Sequence, residues 1–439
     1  MAAELAITKG KDSLVHILLR LTLFGYPSLV VLQKDVHMAF LVLWTSLGLF
    51  YLRSSWQRLS DESKLVVKAV FLFLFLSALS LFNVEDWRHC LWLMSRYEPF
   101  LFMPLLLALF YRFEGILEPF FYGLILAGLV CFAVAGYEVW YMGMERAGAA
   151  FKNANRFGSV AVCIASFLTA ACFLLQLSRY VRLLVAVSAF FCLWAALLSG
   201  SRGAIFVFPV LMGVLLYSVI LVQRRIHKAQ TPGPFRTNRY SWLFVVILLA
   251  FAVSFVGYNG FLRQHSQRAV KEFQEYLHGK RDNEASIGQR LMMWGYAIKI
   301  WRQHPWIGTG IGDVERDMTA LNEADGRPMT HVYYHVHNLY LDVLASTGIA
   351  GLAGMLLACF AAPFRAFRRS FLNPASNENA RYAAVCGMIT VVFFALNGLS
   401  EGWIYTRSVT IFVLFLTLFL SISEDSEKIQ PRPCCLHEK

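Results

Sequence analysis

The chain has 439 residues, of which 57% are hydrophobic and 15% aromatic, while only 15% are charged. Ordinary domains carry roughly 25% charged residues, so the composition excludes a soluble globule and points to a polytopic helical membrane protein. The formal charge of +12 would suggest nucleic acid in a soluble chain. Here Lys and Arg are expected to mark cytoplasmic loops, so no nucleic-acid partner is expected; any excess could meet an anionic substrate or the headgroups of membrane lipids.

Apolar runs fall near 15–32, 37–52, 65–82, 92–111, 117–140, 158–177, 181–198, 203–222, 241–258, 339–364, 382–399 and 408–422. Crossing a bilayer takes about 20 apolar residues, so these predict an all-α bundle of about twelve transmembrane helices. Two runs are weak: 37–52 is short, and Arg96, Glu98 and Pro99 interrupt 92–111. No cleavage site follows the first run, which reads as a retained span. Basic residues follow the second span (Arg53, Arg58, Lys64, Lys68), the sixth (Arg179, Arg182), the eighth (Arg224, Arg225, Lys228, Arg236, Arg239) and the tenth (Arg365, Arg368, Arg369, Arg381). The positive-inside rule makes that face cytoplasmic. The chain then divides into spans one to nine (1–258), an outer loop (259–336), spans ten to twelve (337–425) and a cytoplasmic tail (426–439). Cys131, Cys163, Cys172, Cys192, Cys359 and Cys386 lie in apolar runs, where thiols pack as small hydrophobes, and none falls in the outer loop.

The outer loop is expected to be helical. Phe261, Leu262, Ala269, Val270, Phe273, Tyr276 and Leu277 recur at helical spacing. A second helix, QRLMMWGYAIKIWRQ, places Leu291, Trp294, Ile298 and Trp301 on one stripe and stops before His304-Pro305. Such aromatic amphipathic helices suit the outer membrane–water interface. Gly308, Gly310 and Gly312 in WIGTGIG lack the G-x-G-x-x-G spacing of a nucleotide loop; a tight turn near the membrane surface is the better account.

Several polar residues reach the same outer boundary. The stretch HVYYHVHN (331–338) leads directly into the tenth span, which places His337 and Asn338 in the first helical turn. A histidine there can accept a proton near neutral pH, and the positive helix end favours its uncharged form. Ser199-Gly200-Ser201-Arg202-Gly203 joins the seventh and eighth spans. Its glycines allow a sharp bend that presents Arg202, unless that side chain only snorkels to headgroups. Arg290 opens the second loop helix, with Trp294 four residues on to stack against it. Asn153, Asn155 and Arg156 also lie outside; they suit sugar or phosphate contacts but are equally ordinary loop residues. His335 and His337 supply two ligands, which do not make a metal site; Asp313, Glu315 or Asp317 would have to fold back to complete one, so no metal is expected. Asp342, one turn into the span, is expected to be paired or functional. Glu401 and Arg407 are expected to pair with each other.

The Ser-Arg-Gly turn, the arginine–tryptophan helix, P-W-I-G-T-G-I-G and H-N-L-Y-L-D-V-L-A-S-T-G-I-A-G together resemble the O-antigen ligase and polymerase superfamily. The long outer loop before the tenth span looks like the ligase branch. The resemblance implies a GT-C-like glycosyltransferase of the bacterial inner membrane, inverting, metal-independent and without cofactor, with its active site facing the periplasm. It would move O-antigen from undecaprenyl diphosphate onto a sugar hydroxyl of lipid A–core. By that similarity His337 is the essential histidine and Arg202 and Arg290 are the family's arginines; His335, Asn338, Arg156 and Asn155 are supporting candidates on their residue types and placement alone. Permanently cationic, bidentate arginines would hold the leaving diphosphate. A protein O-oligosaccharyltransferase of the same superfamily would use the same donor on a Ser or Thr acceptor. A secondary transporter would instead concentrate charge at the bilayer midplane, whereas here the candidates gather at one surface.

Overall fold

The computed structural model describes residues 2–33, 35–229, 274, 286–325, 334–406 and 408–424. All regular structure among them is helical: α1 (Ala2–Leu32), α2 (Val36–Leu49), α3 (Asp61–Ala78), α4 (Trp87–Met94), α5 (Met103–Arg112), α6 (Leu117–Gly136), α7 (Ala154–Leu174), α8 (Arg179–Ser199), α9 (Arg202–Ala229), α10 (Ser286–Gln303), α11 (Val314–Ala324), α12 (Leu339–Met355), α13 (Ala362–Leu372), α14 (Glu378–Asn397) and α15 (Ser408–Ser423), with short turns between. Nine helical segments among the described residues are long and apolar enough to cross a bilayer, and α2 and α15 are shorter apolar helices. The chain is a multi-pass membrane protein. Every expected span that falls on described residues has its helix, whereas the expected span 241–258 and the loop helix at 261–277 lie outside them.

Local chemistry sets the helix starts. Ser60, Asn153 and Asn377 accept the backbone N–H of Ser63, Arg156 and Ala380 at 3.1, 3.1 and 2.8 Å, each cap contributing about 1 kcal/mol. The interruption expected in the fourth span is real. The chain passes from α4 through a 3₁₀ turn at Ser95–Tyr97 and a short turn at Glu98–Leu101 before α5 begins with Pro104 in its first turn. Helix α7 lies at the centre, packed on α8, α9 and α14. Phe167 on it meets Phe415 and Phe419 of α15 edge-on at 5.3 and 5.0 Å, the preferred geometry for aromatic quadrupoles.

The tenth span is not a continuous helix. At Gly348 the backbone turns to φ 66, ψ −166, which breaks the α-helical hydrogen-bond ladder. The loop 305–310 fills the break. Ala345 and Ser346 C=O accept the N–H of Thr309 and Gly310 at 2.9 and 3.1 Å, while Ile349 and Ala350 N–H donate to Pro305 and Trp306 C=O at 3.0 and 3.1 Å. In lipid each unmet backbone group costs several kcal/mol, so a broken span survives only when protein satisfies it. The WIGTGIG turn is therefore an insertion into the helix, deeper than a turn beside the surface. Two glycines permit the approach: a Cβ on Gly308 would lie 2.3 Å from the Ser346 carbonyl carbon, and one on Gly348 2.3 Å from that of Trp306.

Helix α10 packs on α11 and α12. Its buried face is Met292, Met293, Tyr296, Ala297 and Ile300, set against Val314, Met318, Val336 and Ala345. The stripe of Leu291, Trp294, Ile298 and Trp301, expected at the membrane–water interface, lies outside this buried face: Ile298 is exposed and the other three are half-buried. The flexible methionines fit the small-residue face of α12 better than two bulky indoles would.

The helix ends sort the polar residues. One end gathers Asn155, the 199–202 turn, 335–338 and Glu401. The other gathers Glu62, paired with Arg365 and Arg369, and Glu424, which accepts from Ser60 N–H at 3.2 Å and from the hydroxyls of Ser60 and Ser63.

Gly308→Ala should lower the thermal unfolding midpoint of the detergent-purified protein by several degrees. The left-handed φ of 73° alone costs about 1–2 kcal/mol with a Cβ, before the overlap. Gly213→Ala, whose Cβ meets nothing within 4 Å, should not lower it; equal midpoints for both variants would contradict the insertion.

Candidate functional site

Five segments meet at the end of the bundle away from the Arg365–Arg369 cluster. The first is the 335–338 strap. Asn338 caps α12, its Oδ1 accepting Tyr340 and Leu341 N–H at 3.1 Å each and its Nδ2 donating to Leu399 C=O at 3.3 Å. The helix therefore begins at Leu339, and His337 stands before the cap rather than in the first turn. Its φ of 54° is left-handed, a conformation uncommon outside glycine and worth about 1–3 kcal/mol of strain where the surroundings enforce it.

The surroundings do enforce it. Val336 is held from both sides: its N–H donates to Asp342 Oδ1 at 2.6 Å, and its C=O accepts the Trp294 indole N–H at 2.9 Å. Trp294 thus works on the strap, not as the stacking partner expected for Arg290. Asp342 is 2% exposed, and Gly402 packs so closely on its Oδ2 that a Cβ would lie at 2.5 Å. His337 N–H donates to His335 Nδ1 at 3.2 Å, and the two rings meet edge-on at 4.2 Å. That bond requires an unprotonated Nδ1. Burial, then the neighbouring His337 ring, pushes His335 down to about 3, so it stays neutral at physiological pH.

Glu401 is the centre of the cluster. Its Oε2 lies 3.8 Å from His337 Nδ1, and its Oε1 accepts Asn155 Nδ2 at 2.9 Å. Asn155 Oδ1 in turn accepts Arg146 Nη2 at 2.8 Å. Arg146 also donates from Nε to Ser199 C=O at 2.8 Å and from Nη2 to Gly200 C=O at 3.3 Å, which fixes the turn carrying Arg202. Gly200 ends α8 at φ 62°, and Arg202 begins α9. Burial, then the neighbouring positive charges of Arg202 and Arg290, holds Arg146 below the usual guanidinium value. The three arginines therefore share one neighbourhood with Glu401, their only carboxylate among the causes of that shift. Burial by itself would raise Glu401; the neighbouring His337 imidazole, with Asn155 and His335, outweighs it and holds the carboxyl below its ordinary value.

The structure thus places His337, His335, Asn338, Asn155, Arg202 and Arg290 in one region. Arg156, in the first turn of α7, lines two cavities beside it. Among the described residues Glu401 has His337 and Asn155 for partners; Arg407, with which it was expected to pair, lies outside them. Arg146 was not expected at all: GMERAGAA is an ordinary loop sequence, and only the fold brings its arginine to the 199–202 turn. Asp313, Glu315 and Asp317 face elsewhere. Asp313 accepts Glu85 and Asp86 N–H at 2.8 and 2.9 Å, Glu315 lies 3.6 Å from His89, and Asp317 pairs with Arg316 at 2.7 Å.

A group paired in this way gives a pH signature. Glu401 contributes stability that is complete above the unfolded glutamate pKa, about 4.3, and is lost as pH falls through its lower folded value. Thermal melts should therefore weaken below about pH 4.3, and less so in Glu401→Gln; superimposable pH profiles would contradict the pairing.

Residues 187–356 match the sequence model of the family described as O-Antigen ligase. The match contains Arg202, Arg290, the inserted 305–310 loop and the 335–342 strap, but neither Arg146 nor Glu401. Over 395 residues the chain is 23% identical to an uncharacterized protein of Haemophilus influenzae, covering 88% of this chain and 93% of that protein. By its all-helical architecture and the matched segment, the chain is similar to the O-antigen ligase family of membrane proteins.

Proposed function

We propose that the protein is a lipopolysaccharide O-antigen ligase, which transfers polysaccharide from undecaprenyl diphosphate to a sugar hydroxyl of lipid A–core at the periplasmic face of the bacterial inner membrane. The observation that carries the reading is the convergence of an imidazole–carboxylate pair and three guanidinium groups at one end of the bundle. Basic loops gather at the other end, which the positive-inside rule makes cytoplasmic.

The division of labour follows from the bonds. The acceptor hydroxyl must lose a proton as it attacks the anomeric carbon. With Nδ1 turned to Glu401, His337 takes that proton on Nε2, and the carboxylate stabilises the imidazolium that forms. His335, neutral and accepting from the His337 backbone, positions the ring. The sugar–phosphate bond breaks with both electrons going to the diphosphate oxygen. Arg202 and Arg290 stabilise that charge through bidentate hydrogen bonds. Arg146, engaged with two backbone carbonyls and Asn155, positions Arg202 and couples it to Glu401. The activated sugar–diphosphate bond supplies the energy, so transfer needs no nucleotide and, on this account, no divalent cation.

In a gel-shift assay with purified protein, undecaprenyl-linked glycan and lipid A–core, His337→Ala should abolish product while the variant still inserts and melts normally. Native-rate transfer by that variant would rule out the base. Arg202→Lys and Arg290→Lys should each lower the rate by about 10²-fold, the scale of one lost oxyanion-type donor. Chelator should leave the rate unchanged; inhibition reversed by one metal would overturn the metal-independent mechanism. Glycosylated pilin-like protein, with no lengthened lipopolysaccharide, would assign the acceptor to the protein O-oligosaccharyltransferase branch.

A further inference from the structure

A second cavity of about 210 Å³ opens at the same end of the bundle, lined by Gln33, Asp35, His37, Arg96, Arg156 and Tyr334 among others. One water needs about 15 Å³ of such space, so the cavity has room for a larger group. It adjoins the transfer centre. Arg156 also lines the small cavity that contains Glu401, and the Tyr334 ring meets His335 edge-on at 4.6 Å.

Polar atoms on two of its lining residues, Arg96 and His37, are unspent. Arg96 enters from the broken fourth span with its guanidinium over the Trp92 ring at 4.8 Å, yet its Nε is buried and meets no hydrogen-bond partner among the described residues. His37 is 4% exposed, and its Nε2 is likewise buried without a partner. Buried polar atoms are ordinarily satisfied, and each exception calls for a reason such as an unbound ligand. Two such atoms on residues lining one cavity point to a ligand rather than to two separate defects. Its side is set by charge: two guanidinium groups against the single carboxylate of Asp35 favour an anion. Tyr334, edge-on to Trp92 at 5.4 Å, adds an aromatic wall of the kind that stacks on the C–H face of a sugar ring, and Gln33 adds an amide suited to a hydroxyl.

We propose that this cavity is a subsite for a sugar residue carrying a phosphate or carboxylate, held by Arg96, His37 and Arg156 beside the transfer centre. The inference rests on the transferase reading for the source of that sugar, which is either the acceptor or the first residues of the donor glycan. It does not rest on that reading for binding itself.

The test uses the full chain in nanodiscs and saturation-transfer NMR with glucose 1-phosphate. The sugar protons should receive saturation from the wild type, with affinity lowered about tenfold in Arg96→Gln, the loss expected for one charge-assisted contact. Uncharged glucose should bind about tenfold more weakly than glucose 1-phosphate. Because Arg96 sits within a packed span, Gln33→Ala at the exposed mouth is the second variant, with an expected weakening of about threefold and an unchanged melting midpoint. Equal binding of glucose and glucose 1-phosphate would overturn the anionic site, and unchanged affinity in both variants would overturn the location. If inorganic phosphate displaces the sugar phosphate at equal concentration, the sugar part of the proposal fails. In the transfer assay Arg96→Gln should raise KM more than it lowers kcat. A rise for lipid A–core assigns the subsite to the acceptor, and a rise for the lipid-linked glycan assigns it to the donor; no rise for either removes it from the reaction. Arg96-dependent binding in a protein that transfers nothing would sustain the subsite and sink the ligase reading.

Discussion

One half-buried carboxylate organises the functional end of this molecule. An ionised glutamate largely withdrawn from water favours paired oxygens, and among the described residues Glu401 has His337 beside one oxygen and Asn155 on the other. Asn155 passes the constraint to Arg146, and Arg146 to the carbonyls of the 199–202 turn. Segments far apart in sequence are thereby drawn to one place. Removing the carboxylate would leave a half-buried imidazole, an amide and a turn without a common partner.

A second constraint works from below. The tenth span is cut at Gly348, and the cut is tolerated because the 305–310 loop supplies the missing hydrogen bonds. The same insertion brings α10 against α12, and so places Trp294 where it can hold the Val336 carbonyl. Helix break, loop and strap form one device. Its upper rim holds His337 at a left-handed φ that an unsupported histidine would leave.

Much of this was legible in the sequence, for physical reasons. Length and apolarity mark spans because lipid satisfies no backbone hydrogen bond, so every described span appears where hydropathy puts it. The histidine and the two arginines stand out because polar groups at span ends are few. What escaped depends on long-range geometry. Gly348 sits in S-T-G-I-A-G, where small residues read equally as close helix packing or as a break. Glu401 has a nearby arginine in sequence, yet its partners are 64 and 246 residues away. Arg146 is an unremarkable loop cation until the fold sets it against Ser199. The core face of α10 escaped notice because the indoles draw attention to the other side of the helix, while the packing side is carried by Met292, Met293, Tyr296, Ala297 and Ile300.

The central claim is that the activated phosphates and the histidine meet at the Glu401 end of the bundle. A cryo-electron microscopy structure of the full chain with undecaprenyl diphosphate-linked glycan tests it most directly. The account predicts diphosphate oxygens about 3 Å from the guanidinium groups of Arg202 and Arg290, with the anomeric carbon turned toward His337. Diphosphate density at the opposite end, against Arg365 and Arg369, would contradict it.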